Sequence, residues 1–115
     1  MIHFHRPAAS LDELVLDQTA QGRAVFVIDA GDDVKSSIAQ FAEVLRLPEW
    51  FGHNLDALAD ALRDFRDGAA EPTTLIWDHI RVLRRHSSQG YETILAILDD
   101  VQDERDDVEV HVLQR

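Results

Sequence analysis

AVFVID, Ala24 to Asp29, is a short apolar run that is rich in valine and isoleucine. Such a run is typical of a strand that is buried on both faces of a parallel sheet. Two more runs of this kind follow it, TTLIWD (Thr73–Asp78) and VEVHVL (Val108–Leu113). Segments with helical spacing separate the runs, as the crossovers between parallel strands require. The sequence therefore predicts a single small α/β domain, in which a three-stranded parallel sheet is packed with about four to five helices.

Capping residues and apolar spacing mark the helices. The first predicted helix runs from Ser10 to Gln21, because Ser10 can cap it, Glu13 follows three residues on, and Gly22 suits its end. The other predicted helices are Ser36–Leu47, about Asn54–Asp67, the short segment Ile80–Arg85, and Tyr91 to about Glu104.

Charge narrows the class of partner. The chain has 22 acidic and 11 basic residues, a formal net charge of -11. Phosphate backbones and anionic lipids repel such a chain, so we expect neither a nucleic acid nor a membrane as partner. A partner chosen by charge should be basic, although the acidity could also serve solubility alone. The sequence has no cysteine, no signal-peptide core and no apolar run of membrane-spanning length, so we expect a cytoplasmic protein.

The segment LPEWFGHNLDALADALRDF, Leu47 to Phe65, places aspartates at every fourth position. At about 100° per residue, four aspartates share one arc of the predicted helix: Asp56, Asp60, Asp64 and Asp67. The opposite arc is apolar and should face the core: Leu55, Leu58, Leu62 and Phe65. Like charges four residues apart destabilise a helix by roughly 0.2 to 0.5 kcal/mol per pair. Two readings stay open, a basic partner that removes the repulsion or a merely solvated face.

The turn before this helix contains a proline, a glycine and a pair of aromatic residues. Pro48 ends the preceding helix, and Gly52 permits a tight backbone path. Asn54 can cap the next helix through its side-chain oxygen. We expect Phe51 to pack against the helix and Trp50 to be exposed beside the carboxylates, where an aromatic ring would favour protein binding. Burial of both rings in the core is the alternative.

The run LPEWFGHNLDALADAL, Leu47 to Leu62, resembles the signature of the barstar family of intracellular ribonuclease inhibitors. That signature has Leu-Pro-Glu, two aromatic residues, Gly, any residue, Asn-Leu-Asp-Ala-Leu and a further Asp in this order. The resemblance extends more loosely from Ala24 to Leu113. Within a single domain of residues 1–115, residues 1–22 then form an N-terminal extension. The small parallel sheet packed with helices that the family implies agrees with the pattern of runs.

The resemblance also implies a binding mode. In barstar-like inhibitors the helix and its leading loop plug the ribonuclease active site, and carboxylates take the place of the RNA phosphate. With Asp60 as the expected centre, the matching partner-binding positions are Trp50, Gly52, Asn54, Asp56, Ala59, Asp60 and Asp100. Ala59 stands where the best-known member has a large aromatic, Trp50 replaces a tyrosine, and His53 replaces an acid. The implied target is a small basic ribonuclease or, alternatively, another basic toxin bound by a barstar-like immunity or adaptor protein.

Other chemistry has weaker support in the residues. Asp56 and Asp60 could form an acid and base pair for hydrolysis, but neighbouring turns of one exposed helix do not separate two pKa values. We therefore do not expect an enzyme. His53 with Asp56, or His3 with His5, could begin a metal site, yet the sequence shows no fuller ligand set for either. No metal and no cofactor are predicted, and we expect the free protein to be a monomer.

Overall fold

A computed structural model describes residues 1–48 and 51–115 of the chain. In these ranges the chain forms four strands and five helices. The strands are β1 (His3–His5), β2 (Ala24–Asp29), β3 (Thr73–Asp78) and β4 (Val108–Leu113). The helices are α1 (Leu11–Ala20), α2 (Val34–Val44), α3 (Leu55–Asp64), α4 (Ile80–His86) and α5 (Ser88–Glu104). The predicted α/β class is confirmed, and β2, β3 and β4 have the predicted bounds.

The sheet is parallel throughout and has four strands in the order β1-β4-β3-β2. The prediction of three strands is therefore wrong. The missing strand is β1, which pairs with β4 so that His3 lies opposite His111. Its sequence, HFH, is too short and too polar to show strand periodicity. β1 is a strand because it pairs with β4; the conformational preference of its own residues would not predict one.

The position of β2 also differs from the prediction. β2 was expected to be buried on both faces, but it is an edge strand, and its first four residues are only half-buried. The strand with every residue buried is β3, which lies between β2 and β4. An apolar run predicts a strand, but its place in the sheet depends on pairing between distant segments.

Helices cover both faces of the sheet. On one face, Leu75 and Trp77 of β3 belong to the core that also contains buried residues of α2, α3, α4 and α5. On the other face, Ile76 of β3 and Leu113 of β4 pack with Leu14 of α1. Complete burial of an apolar side chain of this size stabilises the folded protein by roughly 1.5 to 3 kcal/mol. Among the described helices, none combines the length and hydropathy that a membrane span requires.

Side-chain caps decide where the helices begin. Ser10 caps α1 as predicted, and its hydroxyl accepts a hydrogen bond from the Glu13 backbone N–H at 3.2 Å. The predicted starts of α2 and α5 are too late. Asp33 caps α2 by accepting from the Ser36 N–H at 2.8 Å. Ser87 caps α5 by accepting from the Gly90 N–H at 3.1 Å.

Two helix ends also come earlier than predicted. α2 ends at Val44, and Arg46 then adopts a left-handed conformation with a φ of 52°. α3 ends at Asp64, followed by Arg66 with a φ of 55°. Asp67, which was predicted on the acidic arc, therefore lies beyond the end of α3. Left-handed conformations of this kind commonly end helices.

Candidate protein-binding site

Asn54 joins the turn to the start of α3. Its Oδ1 accepts a hydrogen bond from the Ala57 N–H at 2.8 Å, and its Nδ2 donates to the Gly52 carbonyl at 3.3 Å. The predicted cap of α3 is therefore confirmed. A Cβ at Gly52 would lie 3.0 Å from Asn54 Nδ2, so a larger residue would press on this hydrogen bond. Gly52 and Asn54 thus hold the loop in shape, whatever else they contact.

The aromatic pair is described only in part. Phe51 is buried, with 6% of its surface exposed, and its backbone N–H donates to the Pro48 carbonyl at 2.9 Å. Its expected packing is confirmed. Trp50 lies outside the described residues, so its exposure and its role as an aromatic contact stay predictions. His53 adopts a φ of 50°, and its Nδ1–H donates to the Phe51 carbonyl at 3.0 Å.

The two arcs of α3 have the predicted environments. Leu58 and Leu62 are buried in the core, and Leu55 and Phe65 pack against it. The carboxylates of the helix are exposed to solvent: Asp56, Asp60 and Asp64. The Asp60 side chain keeps 78% of its surface exposed. The structure therefore presents a row of carboxylates that partner atoms can reach.

Arg63 neutralises part of this row, which the sequence reasoning missed. Its Nη1 donates to Asp60 Oδ1 at 3.2 Å, and its Nε donates to Glu104 Oε2 at 3.1 Å. Arg63 therefore bridges α3 and α5. The spacing of three residues between Asp60 and Arg63 could have indicated the first contact. The second depends on how α3 and α5 pack, which the sequence pattern does not reveal.

α5 adds two carboxylates to those of α3. Asp100 is exposed and lies one helical turn before Glu104, on the same side of α5. The resemblance predicts Asp56 and Asp100 as further contacts, with Asp60 as the expected centre. Ala59 is only half-buried, although its side chain is small. We call five residues the acidic surface: Asp56, Asp60, Asp64, Asp100 and Glu104.

An apolar groove adjoins the acidic surface. It has a volume of about 580 Å³ and lies between the α2–α3 connection and one side of α3. Asp60 and Asp64 stand on its wall. The rest of the lining consists of Arg46, Gly52 and seven apolar residues: Leu45, Leu47, Pro48, Phe51, Ala57, Ala61 and Phe65. A lysine or arginine of a partner protein has the matching chemistry, because its stem is apolar and its head is cationic.

All of these residues lie in a segment that a protein-family model recognises. The family model described as Barstar (barnase inhibitor) matches residues 23–114. The chain belongs to the barstar family. Comparison with curated proteins gives no match. The barstar match confirms the resemblance seen in Leu47–Leu62, and it includes the whole acidic surface, whereas β1 and α1 precede it.

Family membership does not assign roles to single residues of this barstar-family chain. The binding roles of the site positions stay predictions: Trp50, Gly52, Asn54, Asp56, Ala59, Asp60 and Asp100. The structure places Gly52 and Asn54 in the loop that leads into α3, and Asp56 and Asp60 on the exposed side of that helix. Asp100 lies on α5, the helix to which Arg63 connects α3.

Proposed function

We propose that the chain is an inhibitor that binds and blocks the active site of a small basic ribonuclease. The observation that carries the proposal is the row of exposed carboxylates at Asp56, Asp60 and Asp64, beside an apolar groove, on a segment that matches the barstar family. The family description names a ribonuclease inhibitor. The proposal transfers this activity to α3 and to the loop before it.

The chemistry of a ribonuclease active site fits this surface. Arginine, lysine and histidine side chains must surround the phosphate that the enzyme cleaves. Carboxylates fixed on a helix can form charge-assisted hydrogen bonds with these cations, and they offer no bond to cleave. The net charge of -11 would also attract a basic enzyme over long distance and speed the encounter.

The proposed contacts lie on α3, on the loop before it and on α5. Asp60 is the proposed centre, because it is exposed, stands on the wall of the groove and has a carboxylate one turn away on each side. Asp56 and Asp100 would bind cations at the margin of the active site. Gly52 and Asn54 would present the backbone of the loop to the enzyme. Because Arg63 already pairs with Asp60, enzyme cations must compete with an internal arginine.

A second candidate is an immunity or adaptor protein for a basic toxin that is not a ribonuclease. The observation that favours it is Ala59, which lies between the carboxylates where the resemblance leads us to expect a large aromatic side chain. Loss of such a ring would remove a contact with a ribonuclease of the usual kind. The acidic surface would be used in the same way.

For either candidate, we propose that residues 1–115 act as one domain, monomeric when free, with residues 1–22 as an N-terminal extension. A protein that protects its own cell must meet the toxin before the toxin reaches its substrate. We therefore propose that the chain works in the cytoplasm. The proposal includes no catalytic activity.

RNA cleavage by a small basic ribonuclease of the barnase type tests the proposal. The wild-type chain should stop cleavage at a one-to-one molar ratio. A matched variant with Asp56, Asp60 and Asp64 all changed to Asn keeps the shape of the side chains and should not inhibit. Failure to inhibit such ribonucleases, together with tight binding to a different basic toxin, would support the second candidate instead.

A further inference from the structure

The sheet face that carries α1 also carries a cluster of metal-ligating side chains. His3 of β1 and His111 of β4 are register partners, and Glu109 precedes His111 by two residues, so the three side chains lie on one face. One ligand atom from each lies within 4.8 Å of the other two. Ligands at about 2.0 to 2.2 Å from a tetrahedral zinc ion are themselves about 3.3 Å apart. The His3 ring stacks on His111 with 4.6 Å between the ring centroids, and rotation of this half-exposed ring would bring the three atoms to the distances of a metal site.

We propose that His3, Glu109 and His111 bind one divalent transition-metal ion, and zinc is the expected metal. Two imidazoles and one carboxylate form a ligand set that zinc accepts, with a fourth position for water. The site is on the face of the sheet opposite α3, because Ile76, the register partner of His111, packs with α1. The proposal is therefore independent of the proposed inhibitor function.

His5 holds the second nitrogen of His111. His5 Nε2 lies 2.8 Å from His111 Nδ1, and His111 Nε2 lies 2.7 Å from Glu109 Oε1. A carboxylate only accepts, so the contact with Glu109 requires a proton on His111 Nε2; in the neutral ring Nδ1 then accepts from His5 Nε2–H. A hydrogen bond to the outer nitrogen is the usual arrangement around a ligating histidine.

Metal binding would change the tautomer of both rings. With the ion on His111 Nε2, the His111 proton lies on Nδ1 and is donated to His5 Nε2. His5 then carries its own proton on Nδ1. Each ring has one proton before and after binding, so both stay neutral and the exchange releases no net proton. The pair can therefore accept the ion without leaving a charged imidazole in the sheet.

The exposure of the two histidines and the charge of Glu109 also favour ion binding. The His111 side chain is only 5% exposed, whereas that of His3 is 51% exposed, so an ion can enter from the side of β1. Arg23 Nε donates to Thr74 Oγ1 at 2.7 Å and lies 3.7 Å from Glu109 Oε2, the distance of an ion pair, while Glu109 Oε1 faces the histidines. The carboxylate supplies the negative charge that a divalent ion requires.

The expected consequence is a tether for the N-terminal segment. β1 has three residues and lies at the edge of the sheet, so few backbone hydrogen bonds hold it. An ion shared by β1 and β4 would connect the first strand of the chain to the last. Because the ion would bind only the folded arrangement, it should raise the melting temperature.

Calorimetric titration with Zn²⁺ alone tests the proposal, on full-length protein that is treated with a chelator and carries no polyhistidine tag. We expect one saturable site per chain. His3→Ala should weaken this site by more than about a hundredfold, the upper range for loss of an outer partner. His86→Ala removes an exposed histidine of α4 and should bind zinc like wild type. His3 is the residue to change, because it is half-exposed and its replacement leaves the core intact.

Nitrogen NMR of the histidine rings gives a second readout. On addition of Zn²⁺, the His111 proton should move from Nε2 to Nδ1, a change that adventitious binding elsewhere would not cause. The proposal is overturned if wild type shows no saturable site, if His3→Ala binds zinc as tightly as wild type, or if the His111 tautomer does not change.

Discussion

Arg63 and Asp60 form an ion pair one helical turn apart, with 3.2 Å between Arg63 Nη1 and Asp60 Oδ1. The carboxylate at the proposed centre of binding therefore already has a cation beside it. Arg63 also reaches Glu104, so the pair belongs to a bridge between α3 and α5. The row of aspartates repels itself less than its spacing alone suggests.

The ion pair changes what Asp60→Ala should do to the free protein. The substitution removes repulsion from Asp56 and Asp64, worth roughly 0.2 to 0.5 kcal/mol per pair. It also removes an exposed ion pair, worth about 0 to 1 kcal/mol. We expect the two effects to cancel to within about 0.5 kcal/mol, a shift that thermal unfolding would barely register. A loss well above about 1 kcal/mol would show that Asp60 has a structural role.

Arg63→Gln should speed association with the target. The change removes a cation that competes for Asp60 and increases the negative field of the acidic surface. We expect the association rate at low salt to rise on the order of two- to fivefold, and the effect to fade as salt screens it. Stopped-flow mixing measures this rate. Arg85→Gln makes the same charge change on α4, and an equal rise for both variants would contradict a specific role for Arg63.

The aromatic turn gives a contrast between stability and binding. Phe51 is buried, so Phe51→Ala should lower the free energy of unfolding by about 3 to 5 kcal/mol. Trp50→Ala should leave unfolding nearly unchanged and weaken binding, if Trp50 is the exposed member of the pair as predicted. Thermal unfolding and a binding titration on each variant decide this. A large loss of stability for Trp50→Ala would mean that both rings lie in the core.

Because of Asp78, the free energy of unfolding should depend on pH in the acid range. Burial raises the pKa of this carboxyl, but hydrogen bonds from Arg115 and from the His79 backbone more than offset it, so the pKa lies below its ordinary value of 3.8. Arg115 Nε and Nη2 each donate to it at 2.9 Å. Between the folded and unfolded pKa, only the unfolded chain binds the proton. The contribution of Asp78 is therefore complete above about pH 3.8 and is lost as pH falls through the folded pKa.

Asp78→Asn measures this contribution. At neutral pH we expect a loss of roughly 1.5 to 3 kcal/mol, the range for hydrogen bonds to a charged group. The difference in unfolding free energy between wild type and variant should shrink as the pH falls below about 3.8. Asp67→Asn, at an exposed carboxyl, is the control. A difference between wild type and Asp78→Asn that is constant over this range would contradict the assignment.

Sequence periodicity predicts the elements that carry their own apolar pattern. β3 and β4 are runs of apolar residues, and α3 repeats apolar residues at helical spacing, so local sequence is enough for them. β1 has no such pattern. Its strand conformation depends on pairing with β4, near the other end of the chain, so local sequence does not predict it. The edge position of β2 has the same kind of origin.

The candidate site divides in the same way. The exposure of Asp56 and Asp60 and the cap at Asn54 follow from local spacing, and the structure agrees with each. The link from Arg63 to Glu104 joins two helices that are distant in sequence, so no local pattern predicts it. The same is true of His111 beside His3, which sequence reasoning did not bring together.

Asp60 and Asp67 provide the comparison for the central claim. Both are exposed aspartates, but Asp60 stands on the wall of the groove, and Asp67 lies beyond the end of α3. Each change to alanine removes one negative charge. In the complex, Asp60→Ala would leave target cations buried without their carboxylate. Such a loss typically weakens binding by at least 2 to 5 kcal/mol. Barstar complexes are among the systems behind that range, so its size is a family expectation.

The most direct measurement is a binding titration of the identified target with wild type, Asp60→Ala and Asp67→Ala. We expect Asp60→Ala to bind roughly thirtyfold to several-thousandfold more weakly than wild type, and Asp67→Ala to bind almost as well as wild type. Thermal unfolding of the same samples should show all three equally folded. Equal affinities for the two variants would contradict the proposal that α3 blocks a cationic active site through Asp60.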